Sequence, residues 1–183
     1  MDKEIPVREK SIALIGFMGV GKTTIGKLVA KKLYRDFVDI DEEIEKEFGM
    51  PVTEIFKTHG EEVFRKKEKE LITNYARKKL NVLSLGGGAF MQEDIRKLCM
   101  EHCIVFYLEL SWDAWKNRLG RIIGSRPLLQ GKTVEEMKQL FEERKKIYSH
   151  HHSRVLLDNL DSEAAADQIV DSVKWAWELY GSR

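Results

Sequence analysis

Short apolar runs alternate along this chain with longer charged segments in which apolar residues recur every three to four positions. The runs lie near 11–16 (SIALIG), 36–39 (DFVD), 82–85 (VLSL), 103–109 (CIVFYLE) and 154–157 (RVLL). Such short runs fit strands covered on both faces, as in a parallel sheet between helices. The periodic segments predict helices over roughly 22–33, 40–48, 53–79 with a break near Gly60, 92–101, 112–119, 133–149 and 163–180. Strand and helix in alternation predict an α/β protein built on a five-stranded parallel sheet. In the last helix Ala166, Ile169, Val170, Val173 and Trp177 follow the i, i+3, i+4, i+7 spacing of one buried face, so its aromatic content reads as packing.

Residues 120–132, GRIIGSRPLLQGK, interrupt this periodicity. A stretch of that length without helical or strand pattern is commonly functional, and a mobile lid is the expectation here. The length of 183 residues suffices for one well-buried core but not for two ordinary domains with linkers, so a single domain over 1–183 is expected. A hydrophobic content of 43% with 33% charged residues describes a globular chain, and a formal net charge of +1 gives no bulk attraction to nucleic acid or membrane. No apolar stretch reaches the roughly 18 residues of a membrane-spanning helix. The start, MDKEIPVREK, is charged where a secretory signal would be apolar, and Cys99 and Cys103 are the only cysteines. A reducing, cytoplasmic compartment is therefore expected, and a monomer.

Candidate chemistry begins at GFMGVGKTT, residues 16–24, which fits G-x-x-x-x-G-K-[ST] through Gly16, Gly21, Lys22 and Thr23. It stands between a predicted strand and a predicted helix, the context in which this motif cradles nucleotide phosphates. Gly16, Gly19 and Gly21 let the backbone turn with N–H groups converging on an anion at the helix N-terminus. Lys22 can reach the outer phosphates and the Thr23 hydroxyl can ligate Mg²⁺, with Val20 and Thr24 completing the nucleotide-binding stretch. A plain glycine-rich turn would leave Lys22 and Thr23 unexplained. The N-K-x-D segment of guanine-specific switch proteins is missing, and Glu109 offers only a poor counterpart to the strand-terminal acid of motor ATPases.

A better metal partner stands in DFVDIDEEIE, where Asp39 and Asp41 are two apart and share one side if the strand continues. One carboxylate could hold Mg²⁺ beside Thr23 while the other accepts hydrogen bonds from substrate hydroxyls. The competing reading makes both acids ordinary N-terminal residues of the following helix. FRKKE sets Arg65 and Glu68 three apart on one helix face, so the carboxylate can orient the guanidinium. Gly86, Gly87 and Gly88 follow a predicted strand, at the end where open α/β sheets bind ligands. Arg126 lies in the expected lid, in SRPLL, and Arg144 on the next helix, in ERKKIY.

In this combination the chain resembles the shikimate kinases over essentially its whole length. That family shows, in this order, GFMGxGK[ST], D-x-D after the second strand, F-R-x-x-E, a GGG turn, an RPLL lid and an Arg on the following helix. The resemblance implies a three-layer P-loop kinase fold with a mobile lid, related to nucleoside monophosphate kinases. It implies Mg²⁺-dependent transfer of the ATP γ-phosphoryl group to the 3-hydroxyl of shikimate, a step of aromatic amino-acid biosynthesis. It implies further that Asp41, Arg65, Gly87 and Arg144 bind shikimate, that Asp39 lies near the metal as a base or water organiser, and that Lys22, Thr23 and Arg126 serve ATP. The residues agree: two arginines can clamp a carboxylate, while Asp41 would repel a phosphate-bearing acceptor and suit hydroxyls. Nucleotide monophosphate kinases and gluconate kinases are the enzymatic alternatives, and a nucleotide-dependent binding module without kinase activity is the alternative from another class.

One departure from the family pattern and one choice between neighbours concern the ATP side. The region after the last strand, LLDNLDSE, lacks the arginine that stacks on adenine in many members, and either Arg118 or Arg121 could take the ATP-contacting position before the lid. Cys99, His102 and Cys103 with His150, His151 and His152 match no common zinc-ligand spacing, and the cysteines read as small buried residues.

Overall fold

In the computed structural model, which describes residues 5–122, 124 and 127–180, five parallel strands form one sheet in the order β2-β3-β1-β4-β5. They are β1 (Ser11–Ile15), β2 (Asp36–Asp39), β3 (Asn81–Ser84), β4 (Cys103–Glu109) and β5 (Ser153–Leu156). The helices are α1 (Lys22–Leu33), α2 (Ile40–Phe48), α3 (Val52–Ala76), α4 (Glu93–His102), α5 (Trp112–Lys116), α6 (Leu119–Ile122), α7 (Val134–Ile147) and α8 (Ser162–Tyr180). All five residues of the central strand β1 are buried, as a strand between two helix layers requires, whereas the edge strand β5 buries only Val155. The expected α/β class and strand set are thus found, each strand within a residue or so of its predicted position.

The order places the site. From β1 the chain crosses through α1 to the edge at β2, and from β3 it crosses through α4 the opposite way to β4. Right-handed crossovers in opposite directions put the two helices on opposite faces, and the loops leaving adjacent β1 and β3 diverge to open a crevice at their C-terminal ends. The phosphate-loop motif follows β1 and the glycine triplet follows β3, so both line that crevice.

α8 packs on α1 through the expected stripe: Ala166, Ile169, Val170 and Val173 are buried and Trp177 is half-buried. Cys99 and Cys103 are buried, as read. In α3 the expected break is present at Gly60, whose φ of 82° and ψ of 166° lie outside the helical region and suit glycine.

β2 ends at Asp39 and α2 begins at Ile40, as expected; Asp39 is the N-cap, so Asp41 lies in the first helical turn and the alternative of a strand running on to Asp41 is not found. Two expectations are corrected. The helix predicted over 112–119 is two short helices, α5 and α6, separated at Asn117. The stretch 120–132 is not patternless: it holds the end of α6 and a 3₁₀ turn at Pro127–Leu129, with Leu129 fully buried. These short pieces escape sequence reading because a single turn carries too few residues to show a period.

Candidate active site

The phosphate-loop motif closes on itself. Lys22, nearly buried, donates from Nζ to the carbonyls of Gly16 (2.9 Å) and Phe17 (3.0 Å). The N-cap of α1 is Gly21 at φ 110°, no side chain caps the helix, and its first turn holds no acid. The leading N–H groups of α1 therefore face the crevice without a side-chain anion of their own, which is the construction of an anion site. Gly19, Gly21, Lys22, Thr23 and Thr24 line a cleft of about 330 Å³ together with Asp39, Asp41 and Gly86. Val20 is buried and does not line that cleft.

Asp39 is the helix N-cap that one reading expected, and it also meets Thr23. Oδ1 caps α2 by accepting from the N–H of Asp41 (3.0 Å) and Glu42 (3.4 Å), while Oδ2 accepts from the Thr23 hydroxyl at 2.5 Å. Two hard oxygen donors thus sit side by side at the base of the cleft, a donor set that fits Mg²⁺. Asp41 lines this cleft and also a smaller cavity of about 40 Å³ beside it, which Arg65, Glu68, Gly86–Gly88 and Arg144 help to form.

The glycine triplet is the wall between the arginines. A Cβ on Gly88 would collide with the Arg65 guanidinium, and one on Gly86 would stand 2.7 Å from Asp41 Oδ1 and 3.0 Å from Glu68 Oε1. A side chain at either position would displace these charged groups from the pocket. Arg144, buried, donates from Nη1 to the Gly87 carbonyl (3.0 Å) with its guanidinium over the Phe17 ring at 5.7 Å. Arg65 donates from Nη1 to Glu68 Oε2 (2.9 Å), contacts Glu61 at 3.2 Å and lies over Phe64 at 5.3 Å.

Glu68 is fully buried; Oε2 also accepts from Gln92 Nε2 (2.9 Å), while Oε1 has no partner. Burial raises its pKa to about 7, with Arg65 opposing the rise and Asp41 adding to it. Burial likewise lowers the pKa of Arg144, without approaching neutrality for a guanidinium. The expected i, i+3 pairing of Arg65 and Glu68 is present.

The structure separates Arg118 from Arg121. Arg118 donates to the Val20 carbonyl at 3.1 Å, against the phosphate loop, whereas Arg121 is exposed. Arg126 lies outside the described residues. Glu109 is held by Lys145 (3.0 Å) and Arg154 (3.3 Å), an ionic arrangement apart from Thr23 and Asp39. Sequence reasoning missed Tyr148, whose hydroxyl donates to the Gly87 carbonyl at 2.5 Å and whose pKa burial pushes to about 12. Its place one turn beyond Arg144 was the available signal. Gln92 and Trp115 were also missed; neither belongs to a motif, and only tertiary contact brings them in.

The family model for shikimate kinase matches residues 18–174. The chain belongs to the shikimate kinase family. A shikimate kinase of Oceanobacillus iheyensis is 59% identical over 177 residues, covering 97% of both chains. One from Bacillus subtilis is 56% identical over 179 residues, covering 97% of this chain and 96% of its own. A solved shikimate kinase from Acinetobacter baumannii, in complex with shikimate, superposes with a TM-score of 0.85 at 32% identity, covering 91% of this chain and 94% of its own. A gluconokinase from Sinorhizobium meliloti reaches a TM-score of 0.59 at 15% identity, which shows a common fold alone. The family and the P-loop kinase fold expected from the motifs are therefore found, and with them an ATP-dependent kinase family. Among the described residues no helix is long and apolar enough to cross a membrane.

Proposed function

We propose that this chain transfers the γ-phosphoryl group of ATP to the 3-hydroxyl of shikimate, giving shikimate 3-phosphate for aromatic amino-acid biosynthesis. The observation that carries the reading is the pair Arg65 and Arg144 on either side of the bare Gly86–Gly88 turn, with Asp41 beside them and the phosphate loop as the next wall. Two guanidinium forks suit a carboxylate, and a carboxylate at Asp41 suits hydroxyls and disfavours a phosphate. An acid bearing hydroxyls is the acceptor this pocket fits.

In this reading the N–H groups of the loop and of α1 hold the ATP phosphates, and Lys22 exchanges the carbonyls of Gly16 and Phe17 for phosphate oxygens. Thr23 and Asp39 would hold Mg²⁺, which supplies charge neutralisation on the phosphates. Asp39, already bonded to Thr23, orders the acceptor end as a base or through water. Arg65 and Arg144 with the backbone of Gly87 fix the acceptor carboxylate, Asp41 aligns its hydroxyls, and Glu68 keeps the Arg65 fork in place. Catalysis is then mainly positioning and charge neutralisation. Arg118 is the ATP-side arginine of the pair before the lid, and Arg126 keeps the role its motif implies, a cation carried onto the transferring group by lid closure. The enzyme is taken to act as a cytoplasmic monomer on these small molecules.

A coupled assay of ADP release tests the reading. Release should require shikimate, fail with gluconate or a nucleoside monophosphate as acceptor, and yield a product heavier by one phosphoryl group. ADP release that ignores shikimate would instead indicate a nucleotide-dependent module without this acceptor.

A further inference from the structure

The phosphate loop is held from outside by one face of the segment that follows β4. Trp115 in α5 is fully buried and its indole Nε1–H donates to the Met18 carbonyl at 2.8 Å. Three residues on, Arg118 donates to the Val20 carbonyl at 3.1 Å, and four further on, Ile122 lies where a Cβ on Gly19 would have to go. Positions 115, 118 and 122 thus meet loop positions 18, 20 and 19 in turn.

A trans peptide is planar, so a carbonyl and the N–H of the next residue point in opposite directions. Cis bonds are absent among the described residues. Anchoring the Met18 carbonyl on Trp115 therefore turns the Gly19 N–H the other way. The other way is the cleft, because Gly19 and Met18 line it and Trp115 does not. The Val20 N–H donates to the Phe17 carbonyl at 3.4 Å across a turn in which Gly19, at φ 78°, stands third; glycine there permits either orientation of the central Met18–Gly19 peptide, so a contact from outside the turn can select one.

Trp115 is itself tightly located. Its ring meets Phe17 edge-on at 5.0 Å and stacks on Trp112 at 5.3 Å, with Phe141 of α7 tilted against it at 5.9 Å. We propose that Trp115 is a positioning residue for the nucleotide: its indole N–H sets the orientation of the Met18–Gly19 peptide and so aims the Gly19 N–H at the phosphates. The inference rests on the reading of this cleft as the ATP site, and it adds to the loop motif a residue that lies outside it.

The test removes the donor and keeps the ring. Trp115→Phe preserves most of the packing, and replacement of Trp115 by its sulfur isostere 3-benzothienylalanine preserves nearly all of it. MgADP and shikimate affinities are measured separately by calorimetry on the full chain, with urea unfolding alongside. Loss of one aimed hydrogen bond should weaken MgADP by about three- to tenfold in both variants. The ATP KM should rise accordingly, while shikimate affinity stays within about twofold, since the arginines that hold it are untouched. Unchanged MgADP affinity in the isostere would overturn the proposal, and so would an equal loss for both ligands, which marks general loosening. Failure of the isostere to fold would assign the bond to stability and overturn it as well. A chain that binds MgADP in this Trp115-dependent way but does not bind shikimate would refute the proposed function and leave the inference standing.

Discussion

Lys22 and the acceptor arginines show how much a side chain's partners matter to what its loss should do. Lys22 donates to two neutral carbonyls, and the proposed function has it exchange them for charged phosphate oxygens, where charge-assisted bonds are roughly twice as strong. Lys22→Met keeps the length of the side chain and removes the charge, so kcat should fall by at least about 10²-fold with little change in melting temperature. Steady-state kinetics beside a thermal melt would check this, and near-normal turnover would contradict the assignment of the loop. Arg65→Ala and Arg144→Ala should each weaken shikimate by about 2–4 kcal/mol while ATP affinity hardly moves, as calorimetry with each ligand would show. Calorimetry that found ATP binding lost and shikimate binding kept would reverse the pocket assignment.

Glu68 supplies a pH dependence at the same scale. It faces Arg65, Gln92, Asp41 and, more distantly, Arg144, and burial raises its folded pKa from 4.5 to about 7. An acid whose folded pKa is raised keeps its proton in the native state after the unfolded chain has lost it. Its contribution to stability is therefore fully present below about pH 4.5 and is lost as pH rises toward about 7. Glu68→Gln should flatten that part of the stability-against-pH curve. Urea titrations at pH 5 and pH 7 would read it: a slope identical in both proteins would show that Glu68 titrates normally.

At the scale of elements, helix ends carry the site as much as helix faces do. The start of α1 is left without a side-chain cap where the phosphates belong, whereas α2 is capped by Asp39, which the Thr23 hydroxyl also uses. α7, which carries Arg144, begins with a complete capping box between Thr133 and Glu136. Thr133→Ala should cost about 1 kcal/mol of stability. Because Thr133 stands three turns from Arg144, kcat and the shikimate KM at 25 °C should stay as they are. A shifted KM without loss of stability would mean that the cap sets the register of Arg144 instead.

For the whole molecule, the crevice depends on the sheet holding β1 and β3 side by side while α1 is pressed onto it by α8. Ile169, fully buried on the stripe of α8, is part of that contact. Ile169→Ala should cost about 2–5 kcal/mol by deleting buried methylene groups and leaving a cavity. Urea unfolding should show an earlier midpoint with an unchanged slope, and the fraction still folded should retain shikimate affinity.

What the sequence determined by itself is whatever local chemistry dictates. Periodicity set the strands and long helices, because a buried face must repeat with the geometry of its element. The loop motif, the Arg65–Glu68 spacing and the glycine triplet were legible because each is a short segment with one physical use. Tertiary structure alone decided the rest. Arg118, and not Arg121, meets the phosphate loop because it stands three residues beyond Trp115, whose indole already reaches Met18 of that loop. Trp115 and Gln92 meet partners 97 and 24 residues away, which no local pattern encodes, and Tyr148, although one turn beyond Arg144, shows its use only through the Gly87 carbonyl 61 residues away.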